Sequence, residues 1–293
     1  MKKGFLSLIL HAHLPFVRHP EYESFFEEIW LFEAITECYV PLIRSLERLQ
    51  QDRVNYRLTL SLSPPLILML SDPLLQSRYL NYINNLLELA EKEIIRTSNT
   101  PEYQKLARLY RRLYLDTLDI FANQYDCNLL TAFQKFHAAG NLELITCAAT
   151  HGFLPLLNKS DAAVRNQINT GIETFTSHIG FPPTGFWLPE CGYYPGLEKH
   201  LENAGINYFF VDSHGIDNAS VTPRNSVYAP LDCGNHVMAF ARDPESSRQV
   251  WSSHDGYPGD YDYREYYSDI GFDLEMDYIA PYILDEHVRI NTG

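Results

Sequence analysis

The run Phe186-Trp187-Leu188-Pro189-Glu190 places a carboxylate directly after a short apolar, aromatic segment. In a parallel-sheet protein, catalytic side chains collect at the carboxyl ends of the strands, and Glu190 would stand at such an end. A carboxylate in an aromatic-rich cleft suits nucleophilic or acid–base chemistry on a sugar. The structural alternative is that Glu190 is only the N-cap or a first-turn acid of the following helix. The segment by itself does not decide between the two.

Histidines follow three other apolar runs. His11 and His13 end the first run, and because residues i and i+2 of a strand share a face, both imidazoles can point into one cavity. His151 follows a second run, and Asp212 and His214 follow a third. With Glu190, four strand ends would present polar side chains to the same opening. We therefore expect a shared active site there.

This constellation has two chemical interpretations. A His-x-His pair with another histidine and an aspartate is the ligand set of a metal-dependent barrel hydrolase, because neutral imidazoles bind zinc and similar ions. Alternatively, the histidines hydrogen-bond sugar hydroxyls around a carboxylate nucleophile, with no metal and no cofactor. The spacing of the residues does not separate the two.

Composition and charge exclude several classes of protein. The 293 residues carry a formal net charge of −14, which would repel nucleic acid and anionic membranes. The aromatic share of 13% fits a carbohydrate enzyme, although most of these rings must pack helices onto a sheet. Five scattered cysteines without a C-x-x-C pair indicate neither a zinc ribbon nor a disulfide framework. With no signal-peptide cleavage site and no membrane span, we expect a cytoplasmic protein.

Short apolar segments alternate with helical patterns, which predicts a parallel α/β sheet or barrel. The predicted strands are Gly4–Leu10, Tyr56–Leu60, Leu142–Cys147, Thr184–Leu188 and Tyr208–Asp212, with a shorter β-like piece at His236–Ala241. Predicted helices cover about 25–49 with a kink at Pro41, a segment opening at Asp72-Pro73, about 102–139, and 195–204 closed by Gly205.

The whole chain, residues 1–293, is expected to form one catalytic barrel domain with a helical insertion at about residues 72–139. A polar region from Ser213 to Gly259 is typical of functional loops, with 231–250 as the segment best placed to form a lid. Val288-Arg289-Ile290 looks like the start of another strand. This ending suggests a fragment of a longer protein, truncated at its C-terminal end.

Several motifs in order resemble glycoside hydrolase family 57. They are His11 to Pro15, Leu144 to Leu154 with His151, Trp187 to Glu190, Trp251 to Asp260, and Tyr263 to Tyr267. The last two look most like the 1,4-α-glucan branching enzymes of that family. One motif alone would be weak, but four or more in the right order are specific, and the resemblance covers the chain from Gly4 to Gly293.

The resemblance implies an incomplete or distorted (β/α)7 barrel and a retaining double displacement without metal. Glu190 matches the family's nucleophile, which would attack the anomeric carbon of an α-1,4-glucan such as amylose or glycogen. A branching enzyme then re-forms an α-1,6 linkage in glycogen synthesis, whereas a hydrolase uses water. The residues expected to contact sugar are His11, His13, Trp30, His151 and Trp187, with Asp212 and His214 as weaker assignments.

Retaining catalysis also needs a second carboxylic acid about 5–5.5 Å from the nucleophile. The matching family motif is not found before Gly293, although Asp212, Asp232 and Asp255 are possible substitutes. We therefore expect a partner chain or a C-terminal fragment to supply this acid, and the present chain to be weakly active at best. The alternatives are an amylase-like hydrolase, a metal-dependent barrel hydrolase, and a catalytically silent glucan-binding chain.

Overall fold

The computed structural model describes residues 4–221, 223–234, 236–263 and 269–283. These residues fall into two compact units, and both units are built from separated stretches of the chain. The first, the sheet unit, takes in residues 4–15, 57–68 and 137–263. The second, the helical unit, takes in residues 16–56, 69–136 and 269–283. The prediction of a single domain over residues 1–293 stays a prediction.

The sheet unit contains one seven-stranded sheet in the order β1-β2-β3-β4-β5-β7-β6. Its strands are β1 (Ile9–Ala12), β2 (Leu58–Leu62), β3 (Leu142–Cys147), β4 (Gly185–Trp187), β5 (Tyr208–Val211), β6 (Leu231–Asp232) and β7 (Met238–Ala241). All neighbours pair in parallel except β6, which runs antiparallel to β7. The α/β class is confirmed, and this mostly parallel sheet, not closed among the described residues, fits the predicted incomplete (β/α)7 barrel.

The helices follow the strands and also make up the helical unit. The α-helices of the described residues are α1 (Glu28–Glu33), α2 (Val40–Gln51), α3 (Pro64–Leu70), α4 (Pro73–Arg96), α5 (Pro101–Leu118), α6 (Leu130–Ala138), α7 (Leu154–Leu157), α8 (Asp161–Ile179), α9 (Leu197–Asn203), α10 (Ser213–Asp217), α11 (Pro244–Trp251), α12 (Ile270–Asp273) and α13 (Met276–Ile279). Short 3₁₀ helices occur at Pro189–Cys191, Ser226–Tyr228, Tyr257–Gly259, Tyr261–Tyr263 and Ala280–Tyr282.

The predicted strands are present, and two of them lie further along the chain than predicted. The prediction for β3 matches its observed bounds, and β4 and β5 lie within their predicted ranges. The first predicted strand, Gly4–Leu10, was wrong in its bounds, because Phe5 and Leu6 are almost fully exposed and pairing with β2 begins only at Ile9. Strand β2 likewise begins two residues later than predicted. Hydrophobicity located these strands, and pairing with the neighbouring strand set their ends.

Two predicted helices are interrupted in the helical unit. The segment predicted over 25–49 contains a π-helical turn at Ala34–Tyr39 between α1 and α2. Pro41 follows that turn and lacks an N–H for a regular helical bond, so the distortion lies just before it. The stretch predicted over 102–139 divides into α5, a π-helical turn at Asp119–Gln124, and α6. The residues between them include Asp126 and Cys127, both at positive φ, which ends a helix.

Helix α4 begins as its sequence indicates. The Asp72 carboxylate accepts hydrogen bonds from the backbone N–H groups of Leu74 and Leu75 at 2.9 and 3.1 Å, with Pro73 in the first turn.

Each unit has buried aromatic rings in its core. In the helical unit the ring of Tyr79 is fully buried, and its hydroxyl forms a hydrogen bond with the Thr36 hydroxyl at 2.9 Å. In the sheet unit, Phe186 and Phe209 are the largest members of the apolar cluster behind β4 and β5.

Some predictions fall on residues outside the described ranges. They are the predicted strand start at 288–290 and most of the Tyr263–Tyr267 motif. Among the described residues, no helix combines the length and the apolar character needed to cross a lipid bilayer.

Candidate active site

The polar residues singled out by the sequence stand at the carboxyl ends of neighbouring parallel strands of the sheet unit. His11 belongs to β1 and His13 follows it by one residue. His151 comes four residues after the end of β3, and Glu190 three residues after the end of β4. Asp212 immediately follows β5. Parallel pairing brings these ends to one edge of the sheet, which is where α/β proteins place their active sites.

Three histidines and a tryptophan form one contact cluster. Nε2 of His11 lies 3.1 Å from Nε2 of His151, and the rings of His13 and His151 stack with centroids 3.7 Å apart at 13°. The ring of His11 also stacks on Trp187, with centroids 4.4 Å apart at 10°. The structure therefore brings together side chains that are up to 176 positions apart in the sequence, from His11 to Trp187.

Burial keeps these imidazoles neutral. Removal from water lowers the pKa of His11 to about 3, with the nearby His151 and His13 acting in the same direction. Burial and His151 also lower the pKa of His13 to about 4, and the negative charge of Glu190 partly opposes them. Burial lowers the pKa of His151 as well, opposed by a backbone hydrogen bond. Near pH 7 the cluster therefore offers uncharged hydrogen-bonding groups beside a carboxylate.

Glu190 sits on a strained turn that exposes its side chain. The chain leaves β4 through the 3₁₀ turn Pro189–Cys191, in which Glu190 has a φ of 52° and Cys191 a φ of 55°. Backbone bonds from Cys191 N to Leu188 O (2.8 Å) and from Gly192 N to Pro189 O (3.0 Å) hold this turn. Positive φ costs energy for residues other than glycine and is concentrated at functional sites. The N-cap alternative is wrong, because α9 begins only at Leu197, after Gly196.

The His151 turn is also strained, and it packs against the Glu190 turn. His151 has a φ of 53°, and its N–H donates to the carbonyl of Ala148 at 3.0 Å. Two residues later, the ring of Phe153 packs so closely on Gly192 that a Cβ there would lie 2.2 Å from Cε2 of the ring. Only glycine fits at position 192 without displacing Phe153. This contact ties the turn that carries the imidazole to the turn that carries the carboxylate.

Asp212 is engaged in an ion pair. Its Oδ2 accepts a hydrogen bond from the Arg242 guanidinium, and its Oδ1 lies 3.3 Å from the Ser213 hydroxyl. Burial opposes ionisation of Asp212, but Arg242 and Ser213 outweigh it, so the pKa of the carboxyl lies below its usual range. His214 lies 3.5 Å from Asp212 and is 78% exposed. Burial raises the pKa of the Cys191 thiol in the Glu190 turn to about 11, Arg242 opposes this rise, and Asp212 and Glu190 add to it.

The last predicted sugar contact, Trp30, belongs to the helical unit. It lies in α1, is 40% exposed, and meets Phe26 edge-on with ring centroids 6.3 Å apart. Its assignment to sugar binding stays a proposal, as do the roles of the other site residues.

Sequence reasoning missed three residues of the site: Ser61, Ser63 and Arg242. The serine hydroxyls bond the histidines of β1, and Arg242 follows β7 and bonds Asp212. The serines had a detectable signal, since polar residues alternate with leucines at Thr59, Ser61 and Ser63. Arg242 had none, because its partner is 30 positions away.

The histidine cluster does not have the geometry of a metal site. Within the part of the chain that the structure describes, no group of three or more His, Cys, Asp or Glu side chains is arranged to hold a metal ion. The two Nε2 atoms of His11 and His151 instead lie at hydrogen-bonding distance from each other.

Comparison with known proteins matches residues 7–281 to glycosyl hydrolase family 57. The chain belongs to this family. It is 35% identical over 294 residues to the 1,4-alpha-glucan branching enzyme TK1436 of Thermococcus kodakarensis, covering 90% of this chain and 42% of that protein. It is 29% identical over 277 residues to the probable 1,4-alpha-glucan branching enzyme Rv3031 of Mycobacterium tuberculosis, covering 90% of this chain and 51% of that protein.

Solved structures of the family are similar over most of the chain. The alpha-amylase AmyC from Thermotoga maritima superposes with a TM-score of 0.94 at 48% identity, covering 100% of this chain and 56% of that one. The branching enzyme from Pyrococcus horikoshii gives a TM-score of 0.81 at 34% identity, covering 92% and 52%. The family is therefore one of glycoside hydrolases and transferases, and this chain spans about half the length of the relatives it matches.

Proposed function

We propose that this chain provides the nucleophile side of a retaining active site for α-1,4-glucans, with Glu190 as the nucleophile. We further propose that the whole protein is a cytoplasmic 1,4-α-glucan branching enzyme of glycogen synthesis. The observation that carries the proposal is an exposed carboxylate, held on a strained turn beside three neutral imidazoles and an indole. The branching enzymes among the relatives and solved structures support the choice of substrate.

Neutral imidazoles suit this role for an electrostatic reason. A protonated His13 would pair with the Glu190 carboxylate and weaken it as a nucleophile. An uncharged imidazole instead hydrogen-bonds sugar hydroxyls, while Trp187 offers an apolar face to a sugar ring. His11, His13, His151 and Trp187 would thus bind the donor sugar around Glu190. Asp212 and His214 are further candidates for contacts to sugar hydroxyls, assigned on weaker grounds.

The reaction has two steps. In the first, a Glu190 oxygen bonds to the anomeric carbon, the glycosidic bond breaks, and the leaving oxygen takes a proton from a second carboxylic acid. In the second, the 6-hydroxyl of an acceptor glucan attacks the same carbon and gives its proton to that second group. Glu190 leaves as a carboxylate, and the anomeric configuration is retained.

Asp212 is a poor source of the required proton. Its ion pair with Arg242 stabilises the charged carboxylate, so it holds no proton to give near neutral pH. Asp232 and Asp255 are exposed, with Asp232 bonding Gly234 N at 2.9 Å and Asp255 lying 3.7 Å from Arg248. We therefore retain the proposal that a C-terminal fragment of the protein supplies the second acid.

Hydrolysis is the second candidate function. It is favoured by the 48% identity to a solved structure described as an alpha-amylase. The two functions share the glycosylation step and differ only in whether a sugar hydroxyl or water attacks the intermediate.

The first test isolates the proposed nucleophile. α-Maltosyl fluoride releases fluoride, which leaves without protonation, so the first step proceeds without the second acid. We expect the mass of the peptide that contains Glu190 to increase by one maltosyl group. The increase should be absent in Glu190→Gln. It should be retained in the control variant Glu202→Gln, whose side chain lies on the exposed side of α9. Equal labelling of the wild type and Glu190→Gln would refute the assignment.

The second test separates the two outcomes. The chain is incubated with amylose while iodine absorbance and reducing ends are followed together. A falling iodine signal without matching reducing ends indicates branching, and a parallel rise in reducing ends indicates hydrolysis. No change in either, together with labelling by the fluoride, would mean that the chain carries the nucleophile but lacks the proton donor.

A further inference from the structure

Two buried serines at the carboxyl end of β2 lie beside the two histidines at the carboxyl end of β1. Ser61 is in β2 and Ser63 follows it by one residue, and both are fully buried. The parallel register places Ser61 opposite His11 and continues to Leu62 opposite Ala12. Because side chains two residues apart share a face, the two serines form a row beside the two histidines.

Each hydroxyl contacts the same atom of its histidine. Ser61 Oγ lies 3.1 Å from Nδ1 of His11, and Ser63 Oγ lies 2.9 Å from Nδ1 of His13. In both rings Nε2 is therefore the nitrogen left for other partners. On His11 it meets Nε2 of His151 at 3.1 Å, whereas in the described part of the chain no hydrogen bond is found for Nε2 of His13.

The direction of these hydrogen bonds follows from what a serine can offer. A hydroxyl has one proton to donate, and a buried donor without an acceptor is destabilising. Within the described residues, Nδ1 is the hydrogen-bond partner found for each of the two hydroxyls. The hydroxyl must therefore donate to Nδ1, which makes Nδ1 the acceptor and places the ring proton on Nε2.

We propose that Ser61 and Ser63 are positioning residues that hold His11 and His13 as Nε2–H tautomers and aim the Nε2–H of His13 at a hydroxyl oxygen of the bound glucan. The glucan half of this inference rests on the proposed function, and the tautomer half does not. In this arrangement His11 donates its Nε2–H to Nε2 of His151, so His151 carries its own proton on Nδ1. His13 is left with one outward donor next to Glu190.

The electrostatics agree with this arrangement. The pKa of His11 is about 3 and that of His13 about 4, so each ring carries a single proton near neutral pH. A ring with one proton has two tautomers, and without the serines both would be populated. Fixing the tautomer ensures that a donor, and not a lone pair, faces the substrate.

The experiment measures the tautomers first, without substrate. The chain is labelled with ¹⁵N-histidine, and long-range ¹H–¹⁵N spectra near pH 7 report which ring nitrogen carries the proton. We expect Nε2–H for His11 and His13 and Nδ1–H for His151. An Nδ1–H signal for His13 in the wild type would overturn the proposal whatever the activity of the chain.

Variants test the positioning role. Ser63→Ala should give His13 a mixed tautomer signal and weaken binding of maltoheptaose about tenfold, the effect of one lost hydrogen bond. Ser63→Thr keeps the hydroxyl and should restore both. The control is Thr146→Val, which removes a buried hydroxyl from β3 that bonds the Leu62 carbonyl at 3.0 Å. It should change neither readout.

The outcomes distinguish this inference from the proposed function. If Ser63→Ala leaves the tautomer and the affinity unchanged, or if Thr146→Val weakens binding equally, the positioning role is wrong. If the wild type shows the expected tautomers but does not bind maltoheptaose, the glucan half is overturned together with the proposed function. The tautomer assignment would then stand on the spectra alone.

Discussion

Replacing Gly192 by alanine tests how the two strained turns are held together. An added Cβ would lie 2.2 Å from Cε2 of Phe153 and 2.9 Å from two further ring atoms. Carbon atoms pack at ~3.5 Å or more, so the closest ring atom must retreat by about 1.3 Å. Gly192 has a φ of −76° and a ψ of 118°, which alanine adopts without strain. The expected destabilisation is therefore steric, and the lower conformational entropy of alanine in the unfolded chain offsets about 0.4–1 kcal/mol of it.

The size of the effect depends on how freely Phe153 moves. Overpacking of this kind lowers the free energy of unfolding by roughly 1–3 kcal/mol. Phe153 is 38% exposed, so its ring has room to move outward, and we expect about 1–2 kcal/mol. The shift also disturbs the turns of His151 and Glu190, and a misplacement of ~1 Å slows a reaction by as much as ~100-fold. Labelling by α-maltosyl fluoride should therefore slow by about tenfold or more.

A double-mutant cycle provides the decisive comparison. Urea denaturation and labelling rates are measured for the wild type, Gly192→Ala, Phe153→Ala and the double variant. Because the Phe153→Ala substitution removes the ring, the double variant should lose less stability and less rate than the two single effects combined. Gly215→Ala is the matched control, since a Cβ there meets Val211 at an ordinary 3.7 Å. The coupling of the two turns would be refuted if Gly192→Ala had the same free energy of unfolding as the wild type and if the two substitutions had additive effects in the double variant.

Three further predictions follow from the site. His11 binds a proton below about pH 6.5 in the unfolded chain but only near pH 3 in the folded protein. The free energy of unfolding should therefore fall as the pH decreases, by up to about 1.4 kcal/mol per pH unit. Urea denaturation between pH 6.5 and 5 checks this, and the free energy of unfolding of His11→Gln should depend less steeply on pH. Glu190→Asn should abolish labelling by the fluoride. It should also raise the free energy of unfolding by roughly 0.5–1 kcal/mol, because asparagine adopts positive φ more readily than glutamate. A variant that is no more stable in urea than the wild type would argue against backbone strain at Glu190. Arg242→Met should raise the pKa of Asp212 and lower the free energy of unfolding by about 0.5–1 kcal/mol at neutral pH. Since a depressed carboxyl pKa contributes stability that is lost as the pH falls through the folded value, this difference should shrink in acid. An NMR titration in which the Asp212 pKa is unchanged would contradict the last prediction.

The sequence predicted those features that depend on local pattern. A largely apolar run placed β3, and an acid followed by proline placed the start of α4. Histidines at i and i+2 correctly indicated two imidazoles at one strand end, since strand geometry sets that spacing. For these features, the chemistry of neighbouring residues was sufficient.

Features that depend on distant partners were not predictable in the same way. Phe5 and Leu6 look like strand residues, yet pairing with β2 excludes them from β1. The positive φ of Glu190 could not be read from its side chain, which is not one that favours this conformation. The ion pair of Asp212 with Arg242 depends on the pairing of β5 with β7, and pattern analysis of either segment alone does not reveal it.

The strand order also bears on how this site is assembled during folding. Gly185 of β4 pairs with Tyr208 of β5 only 23 positions later, whereas His11 and Ser61 are 50 positions apart and Leu62 and Thr146 are 84 apart. The entropic cost of closing a loop grows with its length, and distant contacts form slowly. We therefore expect the Glu190 side of the sheet to nucleate first and the pairing of β2 with β3, which brings the β1 imidazoles to His151, to form last. Pulsed hydrogen exchange would reveal this order. A nascent chain would then expose its carboxylate well before the histidine cluster is in place.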